Sequence, residues 1–225
     1  MKKTILLDQA KTPDGRPMTL HEHDGAFMIR IDGVELMSTR QHHSEERLAE
    51  LACAHIGKRS GAKVLIGGLG LGFTLRAALG ALGPDAEIVV VELMPAVIKW
   101  NRSPEYMLGG DAMADGRVQV VAGDVGDVVK DSRGRFDAII LDVDNGASGL
   151  TTPANGRLYS VAGLSGIRSA LKPDGCLAVW SADADPAFAA RMGQCGFAVS
   201  VERARTHPTG GSWNTLFIGR IGLRR

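Results

Sequence analysis

Val64-Leu65-Ile66-Gly67-Gly68-Leu69-Gly70-Leu71-Gly72 decides how this chain folds. An apolar run of strand length breaks into closely spaced glycines, and Phe73-Thr74-Leu75-Arg76 then opens a helix-like segment. A strand, a glycine loop and a helix in that order form the first unit of a parallel α/β sheet. The loop needs positive φ and close backbone approach, and it lies at the switch point where such sheets bind nucleotides.

The pattern repeats outward from there. Strands are expected over Lys63–Gly67, Glu87–Glu92, Arg117–Ala122, Phe136–Asp142 and Cys176–Ser181. Ile88-Val89-Val90-Val91 and Ala138-Ile139-Ile140-Leu141 are apolar throughout, as strands buried on both faces must be. Helices are expected over Phe73–Leu82, Pro95–Met107, a short stretch after Asp124, and Leu158–Leu171. Lys172-Pro173-Asp174-Gly175 stops the last of these. A helix over Pro186–Gln194 precedes strands over Phe197–Arg203 and Trp213–Gly219, whose hairpin-like connection implies an antiparallel edge. The expected fold class is α/β, doubly wound, with a mostly parallel sheet and an antiparallel C-terminal edge hairpin over residues 44–225.

Residues 1–43 read as a separate small β-hairpin unit. Pro13-Asp14-Gly15, His23-Asp24-Gly25 and Ile31-Asp32-Gly33 put Asp-Gly where tight turns need positive φ, and Met28-Ile29-Arg30-Ile31 alternates like a half-buried strand. Ser44 then reads as an N-cap, with Glu45 and Glu46 facing the helix's positive end and Leu48, Leu51 and Ala52 at helical spacing.

Composition narrows the function. The chain has 225 residues, 44% hydrophobic and 23% charged, as in a soluble globular protein. Its 26 basic and 25 acidic side chains leave a net charge of +1, so no global field holds nucleic acid or an anionic membrane. The expected partner is a small molecule. No apolar run approaches the roughly 20 residues of a membrane span, and Ile5-Leu6-Leu7 is too short for a signal-peptide core. Three cysteines without C-x-x-C spacing fit reduced thiols in a cytoplasmic protein. Glycine is in excess, 29 residues, or about 13% against a usual share near 7%.

The loop spacing chooses the nucleotide. A dinucleotide fingerprint from Gly68 wants glycine or alanine at position 73, which is Phe73; one from Gly70 wants it at Leu75. The chain instead has G-x-G-x-G through Gly68, Gly70 and Gly72, preceded by Gly67, the S-adenosylmethionine type of loop. Glu92 ends the next strand, about 20 residues on, where an acid hydrogen-bonds a ribose hydroxyl. Asp124 ends the third strand, beside the base, where it can accept from an adenine amino group and also cap the following helix. The fourth strand delivers Asp142-Val143-Asp144-Asn145, and a polar loop of roughly 15 residues follows, a length that is usually functional. Asp142 and Asp144 serve either as turn and cap formers or as carboxylates that bind a cationic amine and take its proton. His42 and His43 precede the helix bordering this site and offer a base near neutral pH. His21 and His23 share a strand face, but the sequence identifies no further ligands, so no metal is expected. Trp100 reads as core or as pocket wall, and Arg102 as a contact for an acidic substrate.

From about residue 20 to 181 these elements resemble the polyamine aminopropyltransferases, the spermidine synthase family, whose members join an N-terminal β-hairpin unit to a class I methyltransferase-type Rossmann-like fold. The resemblance runs through Asp32-Gly33-Val34-Glu35-Leu36, Glu46 with Leu48, the Gly67–Gly72 loop with Leu75-Arg76, Val91-Glu92, Gly123-Asp124, Phe136-Asp137-Ala138-Ile139-Ile140-Leu141-Asp142, and Leu158-Tyr159 before Leu171-Lys172-Pro173-Asp174-Gly175. It implies that Glu92 holds the ribose, Asp124 the adenine and Asp142 the attacking amine, with Asp144 and His43 assisting. Glu46, Asn145 and Tyr159 fall at the substrate end. It also implies a homodimer.

Three departures touch the substrate end. Family members carry an aspartate within the glycine loop, near where Gly70 stands; a tyrosine two residues before the glutamate matching Glu46, where this chain has Ser44; and two acids separated by two residues, where Asp142 and Asp144 are separated by one. The resemblance implies aminopropyl transfer from decarboxylated S-adenosylmethionine to an amine acceptor. The departures keep two other readings open: methyl transfer from S-adenosylmethionine, and a non-catalytic nucleoside-binding protein.

Overall fold

The computed structural model describes residues 3–57, 59–143 and 155–222. Four antiparallel strands come first, hydrogen-bonded in chain order: β1 (Ile5–Lys11), β2 (Pro17–His23), β3 (Ala26–Ile31) and β4 (Val34–Ser38). Asp24-Gly25 and Asp32-Gly33 make the two-residue turns, all four at positive φ between 52° and 79°. Both central residues of a type I′ turn require this, and its twist matches the flanking strands. The N-terminal unit is thus a four-stranded meander.

The second sheet has seven strands in the order β10-β11-β9-β8-β5-β6-β7. These are β5 (Lys63–Gly67), β6 (Glu87–Glu92), β7 (Val118–Ala122), β8 (Phe136–Leu141), β9 (Leu171–Ser181), β10 (Phe197–His207) and β11 (Gly210–Ile221). The first five are parallel to one another, and β11 runs antiparallel to both β9 and β10. The expected doubly wound sheet with its antiparallel edge is therefore present. The helices are α1 (His43–Cys53), α2 (Phe73–Ala81), α3 (Pro95–Arg102), α4 (Val125–Lys130), α5 (Val161–Ala170) and α6 (Pro186–Gln194).

Alternating side chains of the central strands feed two separate cores. Val64, Ile66, Val90 and Ile140 pack with Leu48 of α1, Leu75 of α2 and Val97 of α3, and Met18, Leu20 and Ile29 of the first sheet join the same cluster. Leu65, Val89, Val91 and Ile139 face the other way, against Val129 of α4, Leu164 of α5 and Phe188 of α6. Every residue of β8 is buried, which is why its sequence shows no polar alternation. Among the described residues, no helix is long and apolar enough to cross a membrane.

Several element ends differ from expectation, each for a local reason. Helix α3 stops at Arg102 rather than Met107, because Ser103 precedes Pro104 and is held extended at φ −68°, ψ 123°. Helix α5 starts at Val161, with Ser160 accepting from the Gly163 N–H as its N-cap, so Leu158 and Tyr159 lie before it. Strand β9 begins at Leu171 through an irregular pairing with β8, passing Asp174 at φ 67°. Ser44 is not the cap of α1: His42 holds that position, and Ser44 lies within the first turn. The long polar loop after Val143 lies largely outside the described residues.

Candidate functional site

The chain leaves β5 toward β6 and β7 on one side, then returns to place β8 on the other. The crevice beyond the carboxyl ends of β5 and β8 is the topological switch point, and the glycine loop fills its floor. Gly68 is at φ 89°, its N–H bonded to the Val91 carbonyl at 2.8 Å. A Cβ there would stand 2.1 Å from the carbonyl oxygen of Asp142, so only glycine fits. Gly67 ends β5, Gly70 lies beneath Met37, and Gly72 is the N-cap of α2. Buried Asn101 on α3 braces the loop, its Nδ2 donating to the carbonyls of Gly70 at 2.8 Å and Val97 at 2.9 Å. Asn101 carried no sequence signal beyond its place at a helix end.

Glu92 ends β6 with 7% exposure. Its Oε2 accepts from the Leu69 N–H and its Oε1 from the Met94 N–H, both at 2.8 Å. Burial pushes its carboxyl up, and these backbone donors oppose the shift. Asp124 follows β7 and caps α4, its Oδ1 accepting from the Gly126 N–H at 2.7 Å. The structure brings Gly68, Gly70, Glu92, Asp124 and Asp142 around one cleft. Met18, Ile29 and Met37 of the first sheet form an apolar wall of that cleft.

A second recess opens at Gly70 and Asp142, which line both spaces. Its walls are Leu36 and Met37 of β4, Phe73 and Thr74 of α2, and Trp180 of β9. Thr74 Oγ1 donates to Asp142 Oδ2 at 2.7 Å. Glu45, from the first turn of α1, is the other carboxylate among the described residues of this recess. Trp180 Nε1 donates to Ser44 Oγ at 3.1 Å, and Ser44 Oγ donates to Glu45 Oε2 at 2.5 Å. Burial and the charge of Glu92 raise the Asp142 carboxyl to about 6, against the Thr74 hydrogen bond. Burial and the charge of Asp142 raise the Glu45 carboxyl to about 7. Sequence reading gave Glu45 only a helix-end role; its approach to Asp142 depends on how α1 docks across β8 and β9.

The remaining sequence candidates fall elsewhere. Asp144 and Asn145 lie outside the described residues. Glu46 pairs with His42 at 3.0 Å, while His43 Nδ1 is 3.9 Å from it; Glu46 and His43 are not among the described residues lining either recess. His42 stacks on Phe73 with ring centroids 4.0 Å apart, which makes it a support of the recess wall. Tyr159 is buried in the opposite core, edge-on to Phe188 at 5.5 Å. Trp100 is core, its Nε1 donating to Asp8 Oδ2 at 2.9 Å, and Arg102 is exposed. Among the described residues, no group of three or more His, Cys, Asp or Glu side chains is arranged to hold a metal ion.

Comparison with known proteins bears on this arrangement. No curated protein sequence matches the chain. Among solved structures, the chain is similar to a spermidine synthase from Thermotoga maritima, with 20% identity and a TM-score of 0.76 over 97% of this chain and 73% of that one. It is similar to a spermidine synthase in complex with the transition state analogue AdoDATO, with 19% identity and a TM-score of 0.75 over the same shares. It is also similar to a Burkholderia thailandensis 1,6-didemethyltoxoflavin-N1-methyltransferase with bound 1,6-didemethyltoxoflavin and S-adenosylhomocysteine, with 21% identity and a TM-score of 0.56 over 80% of this chain and 79% of that one. At these identities the structures share a fold. Residues 42–186, more than half of the sequence, match the family model of the spermine/spermidine synthase domain. The chain belongs to the spermine/spermidine synthase family.

Proposed function

We propose that this protein transfers an aminopropyl group from decarboxylated S-adenosylmethionine to a small amine. The observation that carries the reading is the junction of the two spaces at Asp142: the cleft lined by Glu92 and Asp124 meets a recess whose described charged side chains are both carboxylates. The residues fit such a donor. Glu92 would use lone pairs beyond its two backbone bonds for ribose hydroxyls, Asp124, which lines the same cleft, would accept from an adenine amino group, and Met18 and Ile29 would offer an apolar face to the base.

In this reading the sulfonium supplies an activated carbon and a thioether leaving group. Asp142 orients the incoming amine in line with the breaking C–S bond. The amine lone pair forms the new C–N bond, the C–S electrons stay on sulfur, and the amine proton passes to Asp142 and then to solvent. Thr74 holds Asp142 in place for this, and the raised carboxyl brings its proton affinity nearer to neutral pH. Asp144 remains a proposed assistant to that transfer, whereas His43, which lines neither space, is not given a part in it.

Methyl transfer from intact S-adenosylmethionine is the second reading, supported by the absence of a carboxylate at Gly70. The test is turnover of purified protein with a panel of diamines and polyamines, following the nucleoside product chromatographically. Methylthioadenosine from the decarboxylated donor supports aminopropyl transfer. S-adenosylhomocysteine from the intact donor supports methylation, and nucleoside binding without turnover supports a non-catalytic role.

A further inference from the structure

We infer that Glu45 sets which donor tail the recess accepts: one ending in an ammonium enters, and one that also carries a carboxylate is turned away. This rests on the aminopropyl reading above. Four observations carry it. Glu45 lines the recess together with Gly70 and Asp142, and these two also line the nucleoside cleft. Its carboxylate is aimed rather than loose, because the chain Trp180 Nε1–H to Ser44 Oγ–H to Glu45 Oε2 uses the single proton of a completely buried hydroxyl. The second carboxylate, Asp142, is fixed by buried Thr74, so both acids keep their places when a ligand arrives.

The fourth observation is the lack of a counter-cation among the described lining residues. No Lys or Arg is among the described residues lining the recess, and its other walls include Leu36, Met37, Phe73 and Trp180. Arg76, on the helix of Phe73 and Thr74, is committed elsewhere: it lies over the Phe73 ring at 4.3 Å and donates to the Leu108 carbonyl at 2.9 Å. A three-carbon chain can lie on the apolar walls with its ammonium between the two acids. A tail carboxylate in the same place would meet two like charges in surroundings that screen them poorly. Repulsion of that carboxylate, rather than a dedicated contact to it, makes the choice.

Calorimetric titration of methylthioadenosine, decarboxylated S-adenosylmethionine and S-adenosylmethionine into wild type and Glu45→Gln tests this. Wild type should prefer the decarboxylated form over the intact one, and Glu45→Gln should reduce that ratio by about tenfold or more. Methylthioadenosine, which lacks the charged tail, should bind both proteins within about twofold, which also shows that the variant folds. Trp180→Phe keeps the ring wall but removes the donor that fixes Ser44, and should reduce the ratio by about threefold. An unchanged ratio in both variants, with methylthioadenosine still bound, overturns the role of Glu45 and leaves the aminopropyl reading standing. So does a Glu45→Gln effect confined to the KM of the acceptor amine. Failure of wild type to bind methylthioadenosine overturns the nucleoside reading itself, and this inference with it.

Discussion

Asn101 Nδ2 donates to the carbonyl of Gly70 at 2.8 Å, so helix α3 holds the glycine loop from behind while Glu92 draws on the Leu69 N–H from the side. The loop's shape is fixed before any ligand arrives. Asn101→Ala removes the donor to Gly70 and the one to Val97 together. Stability should fall by about 1–2 kcal/mol, since the Gly70 carbonyl loses its side-chain donor while Val97 keeps its place in the helix. Affinity for methylthioadenosine should fall severalfold as well. Denaturant midpoints and calorimetry measure the two effects, and a destabilised variant with undiminished affinity would separate Asn101 from loop positioning.

Gly68→Ala should be the more damaging change. The new methyl would meet the Asp142 carbonyl oxygen at 2.1 Å, and the backbone there is at φ 89°. Strain at such a position costs on the order of 1–3 kcal/mol before the clash is counted. The loop and the end of β8 must move apart, so loss of nucleoside binding together with a clear drop in Tm is expected. Retained affinity would mean that the loop does not meet the nucleoside.

Asp142→Asn keeps an acceptor for Thr74 while removing the charge and the base. Turnover should drop by about 10²–10⁴, the usual contribution of a positioned general base, with methylthioadenosine affinity nearly unchanged. Steady-state kinetics with the decarboxylated donor checks this, and activity within tenfold of wild type would remove Asp142 from the chemistry.

Glu45→Gln should make the ligand-free protein more stable at pH 8. The native carboxyls of Glu45 and Asp142 are raised to about 7 and about 6 from ordinary values of 4.5 and 3.8. The native state therefore holds protons that the unfolded chain releases, and stability is lost as pH rises from about 4 through 7. Removing one charge of the pair should recover about 1–2 kcal/mol at pH 8 and little at pH 5. Denaturant midpoints at the two pH values decide it, and a variant weaker at pH 8 would contradict like-charge repulsion in the recess.

How legible these features were in the sequence depends on range. Lys63–Gly67 and Glu87–Glu92 were readable to the residue, because strands buried on both faces have apolar runs with sharp ends. The Asp24-Gly25 and Asp32-Gly33 turns of the first sheet were readable for an equally local reason, the positive φ that type I′ turns demand, whereas at Asp14-Gly15 only the glycine takes it. Helix ends were less so: Pro104 ends α3 early, at Arg102 instead of Met107. The acid of the second recess was the largest omission. Glu45 and Glu46 are equivalent as first-turn acids, and only the packing of α1 decides that Glu45 lines the recess of Asp142 while Glu46 pairs with His42. Tyr159 shows the same limit from the other side, since its place before α5 puts it in the opposite core.

The contact between Gly68 and the Asp142 carbonyl has a further consequence for how this chain can change over time. Gly67 and Leu141 are paired in parallel register, and the Asp142 N–H is bonded to the Gly67 carbonyl at 2.9 Å. The spacing between loop and carboxylate is thus written in the main chain, where side-chain substitutions hardly reach it. The walls of the recess come from β4, α2 and β9, segments far apart in sequence. Mutation can reshape those walls one at a time, and so alter which molecules are admitted, without disturbing the distance at the centre. The shape of the recess walls and the spacing between loop and carboxylate can therefore vary independently in this polypeptide.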